Sequence, residues 1–316
     1  MDEKKNEKRG GGSGCVRGLG CGDTLVLHGV LDEKLSRSSL ASIKAEVKFD
    51  QYHALKHDGS LVKLPRKMGF QGTVVVDEGR QEGPATTVTP WYRCTMAQVP
   101  SNIAKMRYAP WTKTILTIKN AAEKASGESW NMCHIIHYRH GKDSMGFHSD
   151  TWLDLRPGSK IGVVSLGDTR TLELLEKRGN GRASVKLPHN SLFLLDEITN
   201  AKWTHGIRKL RGKRHVDERV AIVFRDTCTF ISEAEGHVFG RSCVFDSLEA
   251  ARKGSAEQKA AQTEQDARLV KMCQLKNVRE WDFEGFNKFL NKQSQTNAAP
   301  GRGERRRRKA RARALL

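Results

Sequence analysis

The stretch Met132–Asp150, MCHIIHYRHGKDSMGFHSD, contains two predicted strands separated by a basic, glycine-containing segment. The strands are Met132–Tyr138, which is rich in apolar residues, and Gly146–Asp150, which is short and bounded by polar residues. The second strand carries a His-x-Asp tripeptide, His148 and Asp150. Because residues i and i+2 of a strand point the same way, these two side chains can reach one metal ion.

Further short strands lie on either side of this stretch, and turn residues separate most of them. They are predicted at Thr24–Leu31, Ile161–Leu166, Thr171–Glu176, Ala183–Leu187, Leu192–Leu195 and Val220–Phe224. Two helices are predicted upstream, Ser36–Phe49 with a serine cap and Pro110–Ala125 with proline in its first turn. Many short strands without interleaved helices favour a β-sandwich or jelly roll. We therefore predict a mainly β fold with flanking helices.

Two histidines and one carboxylate can hold Fe(II) on one face and leave the other face open for a co-substrate and O₂. His205 is the candidate third ligand, and it must come from a distant strand that folds back. The tripeptide alone is weak evidence, because a second copy occurs at His215-x-Asp217. That copy lies among basic residues and has only His237 behind it, which indicates a solvated loop.

The segment Arg219-Val-Ala-Ile-Val-Phe-Arg225 follows His205. In a strand, positions 219, 221, 223 and 225 share one face, so both arginines can flank the same interior space. A guanidinium matches a carboxylate bidentately and suits the anchoring of an acidic co-substrate. The alternative is an ordinary strand capped by surface arginines.

The order and spacing of these motifs resemble the AlkB family of Fe(II)/2-oxoglutarate dioxygenases. The motifs that carry the resemblance are Tyr138, His148-Ser-Asp150, His205 and Arg219-x₅-Arg225. Two upstream segments are also similar to that family, Thr89-Pro-Trp-Tyr92 and Pro110-Trp-Thr112. The resemblance covers roughly Leu61 to Thr229.

The resemblance implies a double-stranded β-helix, or jelly roll, with the iron near its open end. Fe(II) would be bound by the catalytic triad of His148, Asp150 and His205, and 2-oxoglutarate and O₂ would be the co-substrates. Arg219 would pair with the far carboxylate of 2-oxoglutarate, Tyr138 would hydrogen-bond to it, and Arg225 would lie near its other end. The family removes alkyl groups from nucleic-acid bases by hydroxylating the N-methyl carbon and releasing formaldehyde, and some members act on proteins.

Several positions depart from the family pattern. Ile136, Ala221 and Val223 stand where the family often has polar residues near the co-substrate. We therefore expect weaker 2-oxoglutarate binding, since each lost hydrogen bond is worth ~1 kcal/mol net. Trp152 stands where many nucleic-acid-acting relatives have an acidic residue. Its indole could stack on a flipped base or plug the wall of the jelly roll.

The charge of the chain favours a polyanionic partner, most simply nucleic acid. The 316 residues carry a formal net charge of +19. Basic residues flank the predicted metal ligands and are candidate phosphate contacts: Arg139, Lys142, Arg208, Lys209 and Arg211. A solvated basic loop is the alternative.

Four regions are predicted along the chain. They are a disordered segment at 1–22, the AlkB-like dioxygenase domain at 23–246, a helical extension at 247–296 and a disordered basic tail at 297–316. Between Arg302 and Arg313, eight basic residues stand against Glu304, which suits a nuclear import signal or a phosphate-binding arm. An aromatic stripe at 281–289 is predicted to pack on the domain or on a partner.

Location and function follow from the same features. Seven cysteines without a Cys-x-x-Cys pair indicate a reduced, intracellular protein, nuclear or cytoplasmic. No apolar run approaches a membrane span, and the oligomeric state stays open. The favoured function is oxidative demethylation of nucleic-acid bases, in DNA or RNA. The alternatives are the same chemistry on a protein and a nucleic-acid-binding module that has lost turnover.

Overall fold

The computed structural model describes residues 14–55, 61–77, 86–93, 108–210 and 217–275. Its strands are β1 (Cys15–Leu19), β2 (Thr24–His28), β3 (His53–Leu55), β4 (Leu61–Lys63), β5 (Lys67–Gly72), β6 (Val75–Asp77), β7 (Thr86–Pro90), β8 (Ala109–Pro110), β9 (Met132–Tyr138), β10 (Met145–His148), β11 (Ile161–Gly167), β12 (Arg170–Glu176), β13 (Arg182–Leu187), β14 (Ser191–Leu195), β15 (Trp203–Ile207), β16 (Arg219–Arg225), β17 (Thr229–Ser232) and β18 (His237–Gly240). Its helices are α1 (Glu33–Glu46), α2 (Lys113–Ser126), α3 (Glu197–Lys202), α4 (Leu248–Lys253) and α5 (Ala256–Leu275).

Two sheets face each other and enclose one core. The larger has the strand order β1-β2-β14-β11-β16-β9-β5-β8, and the smaller has the order β10-β15-β12-β13. Ile136 and Val223 of the larger sheet share a core with Leu174 and Leu187 of the smaller sheet. This arrangement confirms the predicted jelly roll with flanking helices. A further sheet, β18-β17-β7-β6, carries the strand that leads into Tyr92.

The outer face of the larger sheet is covered by α1 and α2. Ile43 of α1 and Ile115 of α2 pack in a second core with Val220 and Ile222 of β16. Since side chains alternate along a strand, the odd-numbered positions of β16 then face the smaller sheet. The predicted inward face of this strand is therefore confirmed.

Both upstream helices begin at residues other than those predicted. Helix α1 begins at Glu33, and its cap is Asp32, whose side chain accepts the N–H of Leu35 at 2.8 Å. The predicted start at Ser36 was three residues late, because Asp32 satisfies a free N–H of the first turn.

The prediction that Pro110 lies in the first turn of a helix was also wrong. Ala109 and Pro110 pair with the edge of β5, and the N–H of Thr112 is bonded to the side chain of Gln71 at 3.0 Å. These contacts hold the segment extended, so α2 begins only at Lys113.

The predicted disorder at 1–22 was wrong for its later part. Cys15–Leu19 forms β1, which pairs antiparallel with β2. The predicted strand at Thr24–Leu31 is confirmed but ends three residues earlier, at His28. The predicted strands after it are confirmed, with ends shifted by no more than two residues. Arg211, the second His-x-Asp histidine, the aromatic stripe at 281–289 and the basic tail lie outside the described residues.

The C-terminal helix α5 is bonded to the jelly roll through Arg93. The Arg93 side chain forms an ion pair with Asp154 and a second one, at 2.7 Å, with Asp266 of α5. The backbone N–H of Val244 also donates to Gln262 of α5 at 2.6 Å. The predicted helical character after Glu249 is thus confirmed as far as Leu275.

Of the helices in the described ranges, none has the length and apolar character needed to cross a membrane. Five cysteines in the described ranges form no disulfide bond: Cys15, Cys21, Cys133, Cys228 and Cys243.

Candidate metal centre

Three candidate ligands converge at the rim of the smaller sheet. His148 of β10 and His205 of β15 are direct partners across the antiparallel ladder. Asp150 follows two residues after His148, and the ligand atoms of all three side chains lie within 4.8 Å of one another. The structure thus brings the distant histidine to the His-x-Asp pair, as predicted. Within the described ranges, no other group of three such residues meets this criterion.

Hydrogen bonds orient these ligands. Nδ1–H of His148 donates to the carbonyl oxygen of Gly146 at 2.9 Å, which leaves Nε2 to bind a metal. The side chain of Asn200 holds the backbone of Asp150 on both sides. Its Oδ1 accepts the Asp150 N–H at 2.8 Å, and its Nδ2 donates to the Asp150 carbonyl at 2.9 Å.

The carboxylate of Asp150 is held by Arg225, whose Nη2 lies 2.5 Å from Oδ1. The hydroxyl of Tyr92 lies 3.4 Å from the same oxygen. Burial raises the pKa of Asp150, but Arg225, His205 and His148 outweigh it and hold the pKa well below its ordinary value. The side chain is therefore an anion near neutral pH, which is the form that binds a metal.

A cavity of about 410 Å³ lies between the two sheets and reaches the metal ligands. The inward residues of β16 line it: Arg219, Ala221, Val223 and Arg225. Ile136 lines it as well, so the three departures from the family pattern form a continuous apolar wall.

Arg219 presents hydrogen-bond donors that the protein does not satisfy. Its Nη2 donates to the hydroxyl of Ser165 at 2.8 Å, while Nε and Nη1 are buried without a partner. The guanidinium lies 5.1 Å from the centre of the Tyr138 ring. Burial lowers the pKa of Arg219, and Tyr138 opposes that shift. A carboxylate in the cavity would complete this fork.

The sequence profile of the 2OG-Fe(II) oxygenase superfamily matches residues 23–225, which is more than half of the chain. The chain belongs to this superfamily. It is similar to human alpha-ketoglutarate-dependent dioxygenase alkB homolog 3, with 30% identity over 44% of this chain and 50% of the relative. The rat protein of the same name is 29% identical over 45% of this chain and 50% of the relative.

Human DNA oxidative demethylase ALKBH2 is 32% identical over 37% of this chain and 47% of the relative. These similarities confirm the resemblance to the AlkB family that the motif order predicted. The chain spans about half the length of the curated relatives it matches.

The residues of this site fit the metal and co-substrate after which the superfamily is named. Two imidazoles and one carboxylate form the facial donor set that Fe(II) oxygenases use. The unsatisfied N–H groups of Arg219 fit the far carboxylate of 2-oxoglutarate. Arg225 was predicted to lie near the other end of the co-substrate. It does line the cavity, but its bonded partner is the metal ligand Asp150.

Trp152 is 4% exposed, packs in the core between the sheets and is not part of the cavity wall. The chain turns after β10 and directs this indole into the core. The structure therefore supports a packing role for Trp152 and does not support stacking on a base.

Two of the predicted phosphate contacts already have acidic partners. Arg139 pairs with Asp143 at 2.8 Å, and Arg208 pairs with Glu173 at 2.7 Å. Lys142 and Lys209 are exposed.

Sequence reasoning missed three contributors to the site. Asn200 lies in the short helix α3, where no motif marks it. Ser165 lies opposite Ala221 in the ladder between β11 and β16, and its inward alternation was the available signal. Tyr92 was noted only as part of a substrate-side segment, yet its hydroxyl accepts the N–H of Thr151 at 3.0 Å beside the metal ligands.

Proposed function

We propose that this chain is an Fe(II)- and 2-oxoglutarate-dependent dioxygenase that oxidatively removes alkyl groups from nucleic-acid bases. One observation carries the proposal: the His148, Asp150 and His205 ligand atoms converge on a cavity that also contains the unsatisfied donors of Arg219. The nucleic-acid substrate is supported by similarity to a protein named a DNA oxidative demethylase. Repair of alkylated DNA and a nuclear location belong to the same proposal.

His148, Asp150 and His205 would hold the iron, and Arg219 with Tyr138 would hold the distal carboxylate of 2-oxoglutarate. When bound, iron with O₂ and 2-oxoglutarate supplies the oxidising power for hydroxylating an alkyl carbon. Arg225 and Asn200 keep Asp150 in place for this role. The apolar wall of Ile136, Ala221 and Val223 would offer water no hydrogen-bonding side chain in this part of the cavity.

His134 also lines the cavity and stays uncharged. Burial lowers its pKa well below the ordinary value, Arg225 lowers it further, and Asp150 only partly opposes this. Its Nε2 is 2.8 Å from the hydroxyl of Tyr108. His134 therefore contributes an uncharged side chain to the cavity wall beside Arg225.

Two basic loops support a nucleic-acid substrate. The N–H of Leu210 donates to the carbonyl of Gly141 at 2.8 Å, so the loops that carry Lys209 and Lys142 lie side by side. They adjoin the Met145–Ile207 end of the metal-bearing strands, and both of these residues line the cavity. Exposed lysines in this position suit contacts to phosphates that position a strand without reading its sequence.

The first test is anaerobic titration of the full chain with Fe(II) and 2-oxoglutarate. We expect a weak visible metal-to-ligand charge-transfer band that Asp150→Ala abolishes. The matched control is Asp217→Ala, which alters the other His-x-Asp tripeptide and should leave the band intact. Absence of the band in the wild-type chain would refute the cofactor assignment.

The second test supplies methylated oligonucleotides, unmethylated oligonucleotides and methylated peptides, and measures succinate and formaldehyde. We expect both products with methylated oligonucleotides. If succinate and formaldehyde form only with the peptides, the substrate is a protein and not a nucleic acid. Salt-sensitive oligonucleotide binding without a charge-transfer band would identify a nucleic-acid-binding module that has lost turnover.

A further inference from the structure

Three buried arginines surround the Tyr138 side chain. The guanidinium of Arg219 lies 5.1 Å from the Tyr138 ring centre, and that of Arg170 lies 5.7 Å from it. Arg66 immediately precedes β5, where Lys67 pairs with His137 of β9, so its backbone is next to that of Tyr138 across the ladder. The three arginines are 2–7% exposed.

Arg66 has incomplete hydrogen bonding. Its Nη1 donates to the carbonyl of Ser144 at 3.0 Å, and its Nε is buried without a partner. The nearby carboxylate of Asp143 is occupied by Arg139, with three hydrogen bonds of 2.8 to 2.9 Å from its backbone and side chain. No ion pair among the described residues joins an acid to Arg66, Arg170 or Arg219.

The cavity selects two of the three arginines. Arg66 and Arg219 line it, whereas Arg170 is not part of its wall and donates to the carbonyls of Asp143 and Arg208. Of the other described charges in the wall, Arg225 and Asp150 are paired with each other. Arg66 and Arg219 therefore remain as buried cations without a carboxylate partner in the part of the chain that the structure describes.

Buried cations without a counter-charge are unfavourable unless a ligand supplies one. A carboxylate has about four acceptor sites on its two oxygens, so it can accept from two guanidinium groups at once. One guanidinium would suffice to bind the distal carboxylate of a 2-oxo diacid. The second buried guanidinium in the cavity wall therefore needs its own explanation.

We propose that Arg66 is a second anchor, together with Arg219, for the distal carboxylate of 2-oxoglutarate. This inference rests on the proposed function and names a residue of the same site. It also reverses the expectation of weak co-substrate binding. A second guanidinium supplies the charge-assisted donors that the apolar residues Ile136, Ala221 and Val223 do not, and such donors are stronger than neutral ones.

The test compares two acids on the full-length protein loaded anaerobically with Fe(II). 2-Oxoglutarate carries the distal carboxylate, and 2-oxovalerate has the same carbon chain without it. Dissociation constants are measured from the charge-transfer band and by calorimetry for wild type, Arg66→Gln and Arg66→Lys. Arg156→Gln is the control, because Arg156 is exposed, paired with Asp226 and not part of the cavity wall.

We expect Arg66→Gln to weaken 2-oxoglutarate binding about tenfold or more, with 2-oxovalerate and Fe(II) binding unchanged. Arg66→Lys should restore part of the affinity, and it carries the same comparison if Arg66→Gln does not fold. Equal loss for both acids, no loss for either, or loss of oligonucleotide binding alone would overturn the assignment. Failure of the wild-type protein to bind 2-oxoglutarate would instead refute the proposed function.

Discussion

The two ends of the cavity differ in whether a buried arginine has an acidic partner. At the metal end, Asp150 already has Arg225, Tyr92 and Asn200 as partners. At the other end, Arg219 has no acidic partner among the described residues. Both Arg219 and Arg225 keep a buried Nε and Nη1 without a hydrogen bond, so the difference between the ends lies in the counter-charge. The protein thus positions its metal ligands in advance, but it leaves the arginine end to be completed by an anion.

This difference explains why one cavity can bind two groups of opposite charge. A preoriented, anionic carboxylate favours a cation at one end. Unsatisfied guanidinium donors favour a carboxylate at the other. A 2-oxo diacid can bind the metal through one end and present its distal carboxylate to the arginine at the other.

The largest effect, on the free energy of unfolding, is expected from replacing Arg93, a buried arginine that forms ion pairs with two aspartates. Arg93→Met leaves Asp154 buried without its cation, so the free energy of unfolding should fall by about 3–5 kcal/mol. Urea denaturation of this variant and of Arg219→Met makes the comparison direct. Arg219 has no acidic partner among the described residues, so its loss should destabilise the fold much less. Equal destabilisation would contradict the contrast between buried arginines with and without an acidic partner.

Arg219→Met should next abolish the anion site without affecting the metal. Two charge-assisted hydrogen bonds are lost, so the dissociation constant for 2-oxoglutarate should rise at least about a hundredfold. Calorimetry on Mn(II)-loaded protein measures it, and Arg208→Met serves as a surface control. Metal loss in Arg219→Met would show that the two ends are not separate.

Arg225→Met should have the complementary effect at the metal end. Metal affinity should fall about 10- to 100-fold, as is typical when a group that holds a ligand is removed. Arg225 lowers the pKa of Asp150, so its removal raises that pKa, and protons then compete with the metal at higher pH. Chelator competition between about pH 8 and about pH 5 should show a steeper loss than in wild type. Parallel pH profiles would contradict this role.

The smallest effect is expected on the outer face of β9 and β16. Glu218 accepts from Lys44 at 2.6 Å and lies 2.8 Å from Nε2 of His137. Burial raises the pKa of Glu218, but Lys44 and His137 outweigh this effect and hold the pKa below its ordinary value. A lowered carboxyl pKa stabilises the fold above the unfolded value, and the benefit is lost as pH falls.

Glu218→Gln should therefore cost no more than about 1 kcal/mol at neutral pH, because the pair is partly exposed. The difference from wild type should shrink near pH 4, as measured by urea denaturation. A difference that grows as the pH falls would mean that Glu218 has no favourable ion pair in the fold.

Sequence reasoning succeeded where periodicity decides the geometry. Alternation in Arg219–Arg225 gave the inward face of β16, and the i, i+2 rule gave the pairing of His148 with Asp150. The contribution of His205 depends on long-range strand pairing, which periodicity cannot predict. It was predicted from the order of the motifs along the chain.

It failed where a distant partner decides the local structure. The edge of β5 holds Pro110 extended, and Asp150 takes the guanidinium of Arg225. Arg66 lies in a polar stretch without periodic signal, so only the packing of β5 on β9 reveals its position beside Tyr138.

The most direct measurement is the anomalous diffraction of crystals grown anaerobically with Mn(II) and N-oxalylglycine, a non-reactive analogue of 2-oxoglutarate. We predict one anomalous peak, from a metal ion bound by His148, Asp150 and His205. We also predict that the distal carboxylate of the analogue is bonded to Arg219. A metal bound at other side chains, or an analogue whose distal carboxylate points away from Arg219, would contradict the account.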